Sequence, residues 1–97
     1  MAIKLKNRNG VCQVKLDGEM TIYSAAAMKA SLLDALQQCN ALEIDLAKVS
    51  EMDSAGFQLL LLLKREADDQ GKPLRLSNHG QAALEMLNLF QMAGHFG

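Results

Sequence analysis

Leu42-Glu-Ile-Asp-Leu-Ala-Lys-Val-Ser-Glu-Met-Asp-Ser-Ala-Gly56, running into the Leu-rich stretch Phe57-Gln-Leu-Leu-Leu-Leu-Leu63, is the part of the chain that decides the fold. Leu42 to Leu46 alternates apolar and polar side chains, the period of a strand with one buried face. From Ser54 the period changes. Gly56, Leu59, Leu60, Leu63 and Ala67 recur at spacings of three and four, the stripe of an amphipathic helix from about Ser54 to Asp69. Gln70-Gly71 and then Pro73 punctuate its end, and Pro73-Leu-Arg-Leu-Ser77 resumes the alternation of a strand. Strand, helix and strand in that order predict a right-handed crossover between parallel neighbours.

The same reading extends upstream. Residues 2–6 and 11–17 both alternate, and Asn7, Arg8, Asn9 and Gly10 between them are turn material, so the chain opens with a hairpin. A helix follows from Thr21 or Ser24, either of which suits an N-cap, to Gln38, with Ala25, Met28, Leu32, Ala35, Leu36 and Cys39 on one stripe and Asn40 as its stop. A third helix begins at Asn78, an N-cap type with Gln81 three residues on, and directs Ala83, Met86, Leu87 and Phe90 inward before a short tail to Gly97. Every strand pairs an apolar face with a polar one, the latter carrying Lys4, Lys6, Lys15, Glu43, Asp45 and Arg75. The predicted architecture is α/β: a four-stranded mixed β-sheet, built from the hairpin and two right-handed βαβ crossovers, with helices packed mainly on one face. A chain of 97 residues has room for one such core, so residues 1–97 are read as a single domain.

Composition narrows the function. Ten basic and eleven acidic residues cancel to a net charge of −1, which provides no global field for nucleic acid or an anionic membrane. Aromatic residues are 4% of the chain with no Trp, so the stacking platform of single-strand binders is missing. The longest apolar run ends at Lys64-Arg-Glu66, far short of the ~20 residues that span a bilayer, and the charged N-terminus does not resemble a signal peptide. A cytoplasmic location follows. Cys12 and Cys39 have neither the CxxC spacing nor the His partners of a zinc site, and are read as two buried or half-buried thiols. No metal and no cofactor is expected.

Phosphate-binding and metalloprotease motifs are absent. Met52-Asp-Ser-Ala-Gly56 half matches the GxSxG nucleophile elbow of serine hydrolases, but Met52 stands where that motif has Gly, and the chain lacks room for the sheet that would bring a His and an acid to Ser54. His79 and His95 receive no role. The plain reading of the segment is structural: Asp53 or Ser54 caps the helix and Gly56 permits close approach to the sheet. The functional reading adds to it. A Ser at a helix N-terminus lies beside unpaired N–H groups, and a phosphate placed there would add about two negative charges next to Asp53, changing the surface sharply.

The residues Glu43 to Gly56, the Leu-rich helix, Gly71-Lys-Pro-Leu-Arg-Leu76 and the earlier Leu16-Asp-Gly-Glu-Met-Thr-Ile22 resemble a STAS domain, the fold of sulfate transporter tails and anti-sigma factor antagonists. The resemblance covers nearly the whole chain. In the antagonist branch it implies that Ser54 matches the residue phosphorylated by a partner anti-sigma factor kinase, with a phosphatase reversing the modification. Ala55 departs from the second hydroxyl residue that many antagonists carry. The implied function is a phosphorylation-controlled protein-interaction switch, not an enzyme, that engages its partner when Ser54 is unmodified. The resemblance fits two relatives equally, a non-catalytic subunit of a lipid-transport ATPase and a chemotaxis-associated component.

Helical geometry suggests where a partner docks. At about 100° per residue, Ser54, Phe57, Gln58, Leu61 and Arg65 share one side of the second helix. Asp53, Ser54, Phe57, Gln58 and Leu61 are therefore the candidate contact residues. A competing reading uses Phe57, Leu61 and Leu62 to pack against neighbouring elements, and the sequence leaves both open.

Overall fold

The computed structural model describes residues 2–89; Phe90, which was expected in the core, and the tail containing His95 lie outside them. The elements are β1 (Ala2–Arg8), β2 (Val11–Met20), α1 (Ala25–Gln38), β3 (Ala41–Met52), α2 (Ser54–Asp69), β4 (Leu74–Ser77) and α3 (Gln81–Leu89). The strands lie in the order β1-β2-β3-β4, antiparallel in the first pair and parallel in the other two. Both crossovers step the same way along the sheet, so their right-handedness puts α1 and α2 on one face. The core lies between that face and the helices. Val14, Leu32, Leu36, Ile44, Leu46, Leu60 and Leu63 are fully enclosed there.

The helices end where local chemistry says they should. Asp53 caps α2 through its side chain, and Gly71, at φ +67°, reverses the chain after it while Lys72 N–H donates to Ala67 O at 2.8 Å. Two details differ from the reading by pattern. Ser24 precedes α1 but makes no capping bond, because its Oγ instead accepts from Thr21 N–H at 3.1 Å and donates to Glu19 O at 2.8 Å. Asn78 is not the cap of α3. It takes φ +50° in the turn after β4 and donates from its side chain to Asp45 Oδ2 at 2.9 Å, and α3 begins three residues later. Burial works against ionisation of Asp45, but the Ala47 N–H, the Asn78 amide and Lys15 outweigh it and lower its pKa.

β3 is twelve residues long, far beyond the alternating Leu42 to Leu46. The alternation is interrupted because register shifts between Lys15 and Asp17 and between Gly18 and Glu19 offset β2 from β3, leaving Ala47 and Lys48 both exposed. Parallel pairing nonetheless continues to Met20 and Met52, which delivers the end of β2 to the start of α2. The cysteines also correct an expectation. Cys12 and Cys39 are joined as a disulfide rather than standing as separate thiols. Asn40 N–H donates to Gly10 O at 2.7 Å, closing the end of α1 onto the start of β2 and bringing the two Cα atoms to 5.8 Å.

Among the described residues no element covers the sheet face away from the helices, and its register places Lys4 directly opposite Lys15. Like charges at such a position repel, so Lys4→Glu is expected to raise stability by about 0.2–1 kcal/mol, read as a higher urea midpoint with an unchanged slope. A lower midpoint would show that the two ammonium groups do not repel across the ladder.

Candidate functional site

The site is the meeting point of the end of β2, the connection to α1 and the first turn of α2. Asp53 holds it together. Its Oδ1 accepts from Gly56 N–H at 3.0 Å, which caps α2, and its Oδ2 accepts from Ile22 N–H at 2.9 Å, which ties the β2–α1 connection to the same helix end. Its own N–H donates to Met20 O at 3.2 Å. Gly56 completes the junction, since a Cβ there would lie 2.2 Å from Met20 O. Ser54, the first residue of α2, is thereby presented to solvent on a fixed support.

The Gly56 and Ile22 N–H groups hold the Asp53 carboxyl below its ordinary pKa of 3.8, overcoming a smaller desolvation penalty. A depressed folded-state pKa means that this carboxylate stabilises the junction fully above its unfolded pKa and loses that contribution as pH falls through the folded value. Below about pH 4 the Ile22 and Gly56 amide NMR resonances should therefore shift together with one midpoint below 3.8, and Asp53→Asn should abolish the shift. Separate midpoints for the two amides would disprove a shared carboxylate.

The other expected contact residues separate. Ser54 and Gln58 are exposed, and Leu61 is half-buried in a groove between α1 and α2 of about 480 Å³, whose walls include Ala26, Lys29, Ala55, Leu62 and Arg65. Phe57 is corrected outright. It is 3% exposed and belongs to the core, because it lies three residues before the enclosed Leu60 and widens the buried stripe of α2. Asp53 is half-buried with its carboxylate already engaged by two backbone groups, so it positions the surface more than it offers a contact.

A family model described as "Mlab, STAS domain" matches residues 3–96. The chain belongs to the STAS domain family. Over 92 residues it is 29% identical to the anti-sigma-B factor antagonist of Bacillus subtilis (strain 168), a match covering 95% of this chain and 82% of that one. Among solved structures, an anti-sigma factor antagonist from Mycobacterium paratuberculosis superimposes with a TM-score of 0.87 at 21% identity, covering 98% of this chain and 81% of the other. The Bacillus cell fate determinant SpoIIAA in its phosphorylated form superimposes with a TM-score of 0.78 at 20% identity, covering 98% and 87%. These two likenesses establish the shared fold.

This STAS domain also displays two residues that sequence reasoning passed over. Ile22 is 68% and Tyr23 97% exposed, on the very connection that Asp53 ties to α2. Both side chains therefore stand in solvent next to the start of α2. The signal available in the sequence was an apolar pair just after strand β2 that fits neither the strand's alternation nor the stripe of α1.

Proposed function

We propose that this STAS domain is a phosphorylation-controlled protein-interaction switch of the anti-sigma factor antagonist kind, which catalyses nothing itself. Its partner, an anti-sigma factor or serine kinase, engages the unmodified Ser54 surface, and a phosphatase restores that surface after phosphorylation. The observation that carries the reading is the exposed Ser54 at the N-terminus of α2, beside a connection that presents Ile22 and Tyr23. The apolar pair and the groove supply contact area; the serine supplies control. A phosphoryl group would gain the helix end but would add its charge beside Asp53, whose low pKa keeps it ionised. The similarity to the Bacillus subtilis antagonist supports the partner class, and a cytoplasmic site of action goes with it.

Ser54→Asp is expected to weaken partner binding at least about tenfold, as befits the loss of a close charge-sensitive contact, while Ser54→Ala binds as the unmodified protein does. Calorimetric titration of the partner, with intact-mass analysis of protein from native cells lacking the phosphatase, checks both halves. Equal affinities and a Ser54 that is never modified would reject the switch. That result would favour a second reading, in which the same surface holds the domain constitutively as a non-catalytic subunit of a lipid-transport ATPase or a chemotaxis-associated complex. Sustained hydrolysis abolished by Ser54→Ala would reject both.

A further inference from the structure

The outer edge of the sheet carries a separate pattern. β1 ends the strand order, so among the described residues one side of its seven-residue backbone has no neighbouring strand. On the uncovered face, Lys4, Lys6 and Arg8 follow one another at alternate positions, opposite Lys15, Gln13 and Val11 of β2. All three cations are exposed, and they border a depression of about 420 Å³ together with Lys15. The acids Glu43 and Asp45 lie one strand further in, opposite Gln13 and Lys15, and among the described residues the ion pair that forms is Lys64–Asp68 on α2. The one acid within the paired β1–β2 register is Asp17, opposite Ala2 and two residues from Lys15 on this face, so Lys4, Lys6, Arg8 and Lys15 outnumber it and, in a chain of net charge −1, the edge carries a local excess of positive charge.

The opposite face of the same strand is apolar. Leu5 is 51% exposed and Ile3 half-buried, and with Val14, Leu32 and Ala35 they form the apolar floor of a notch of about 260 Å³ between the sheet edge and α1, with Ser31 and Asp34 on its α1 side. β1 thus presents cations on one side, apolar surface on the other, and open backbone between them.

We propose that the β1 edge accepts an extended protein segment as a fifth strand, one that alternates acidic and apolar residues. Side chains on alternate residues of a strand fall on one face about 6.8 Å apart, so carboxylates at every second position meet Lys4, Lys6 and Arg8 in turn. The intervening apolar residues point to the other face and enter the notch beside Leu5. Main-chain pairing supplies affinity and the two faces supply selectivity. A compact acidic domain matches the cations but leaves the notch and the backbone edge unused.

The test uses the full chain and a fluorescein-labelled peptide, Ser-Glu-Val-Glu-Leu-Glu-Val-Ser, with an isomer of the same composition in which the three Glu are contiguous. The alternating peptide is expected to bind and to slow amide exchange along β1. The isomer, and the double variant Lys4→Glu with Lys6→Glu, are expected to reduce affinity at least about tenfold, because attractive cross-strand pairs are lost or reversed. Leu5→Asp is expected to weaken binding with little change in melting temperature, and Ser54→Asp to leave it unchanged, which keeps this surface distinct from the Ser54 surface. Equal binding of the two peptides, or binding indifferent to the charge reversal, would overturn the proposal. So would a chain that ignores the peptide but uses these lysines to bind phosphatidylglycerol vesicles or to dimerise.

Discussion

Replacing Phe57 with Ala is expected to cost about 3–5 kcal/mol, the usual price of a cavity left by a buried aromatic ring. Phe57 is 3% exposed within the continuous core formed by the strands and α2, so no solvent can take up the lost contact. Domains of this size are stable by only about 5–15 kcal/mol, and the variant should therefore melt well below the native protein and be partly unfolded at physiological temperature. The informative comparison is with binding. Chemical denaturation gives the folded fraction, and that fraction is expected to hold its partner with native affinity because the ring is not on the surface. Tyr23→Ala should do the reverse, losing partner affinity with its melting temperature intact, since Tyr23 is 97% exposed. A Phe57→Ala protein that melts normally and fails to bind would return Phe57 to the surface.

The second large effect is expected at Gly56. Alanine there would place its Cβ 2.2 Å from Met20 O, a backbone atom that cannot rotate aside. Either α2 or the end of β2 must move, and overpacking of this kind costs about 1–3 kcal/mol or more. The displacement would also pull apart the Asp53 bonds to Gly56 and Ile22, so the defect should reach the function: Gly56→Ala is expected to weaken the partner even in its folded fraction. Gly71→Ala is the control. Gly71 has φ +67° but no atom within 4 Å of an added Cβ, so only the left-handed backbone is penalised, at about 1–2 kcal/mol and with no effect on binding. Equal losses at the two glycines would show that backbone conformation, and not close approach to Met20, explains Gly56.

These two positions also show how legible the site was. The need for Gly at position 56, with a cap at Asp53 or Ser54, was readable from a strand giving way to a helix, because capping and close approach act within a few residues of chain; the structure chose Asp53. The burial of Phe57 was not readable in the same way. Ser54, Phe57, Gln58 and Leu61 share one helical side whether or not a neighbour covers it, and the ridge divides into exposed Ser54 and Gln58, half-buried Leu61 and enclosed Phe57 only once the sheet and the other helices are in place. Ile22 and Tyr23 were missed for the complementary reason. Apolar residues are assigned inward by default, and the connection that carries these two is fixed by a bond from Ile22 N–H to Asp53, thirty-one residues away, which local pattern does not reveal.

By itself the sequence determined the order of the elements, the main buried positions of α1 and α2, the mixed sheet and the place of Ser54 at the start of α2. All of these follow from periodicities and end signals that act over a turn or a strand's length. The tertiary structure alone decided the full length of β3, whose outer half is held by parallel pairing to β2 across register shifts that hide its alternation. It also decided the pairing of Cys12 with Cys39, separated by 27 residues and joined because the end of α1 closes onto the start of β2. The turn at Asn78, bonded to Asp45 on a neighbouring strand, belongs to the same class. In each case the deciding partner is distant in the chain, and its contribution exists only after folding has brought the two segments together.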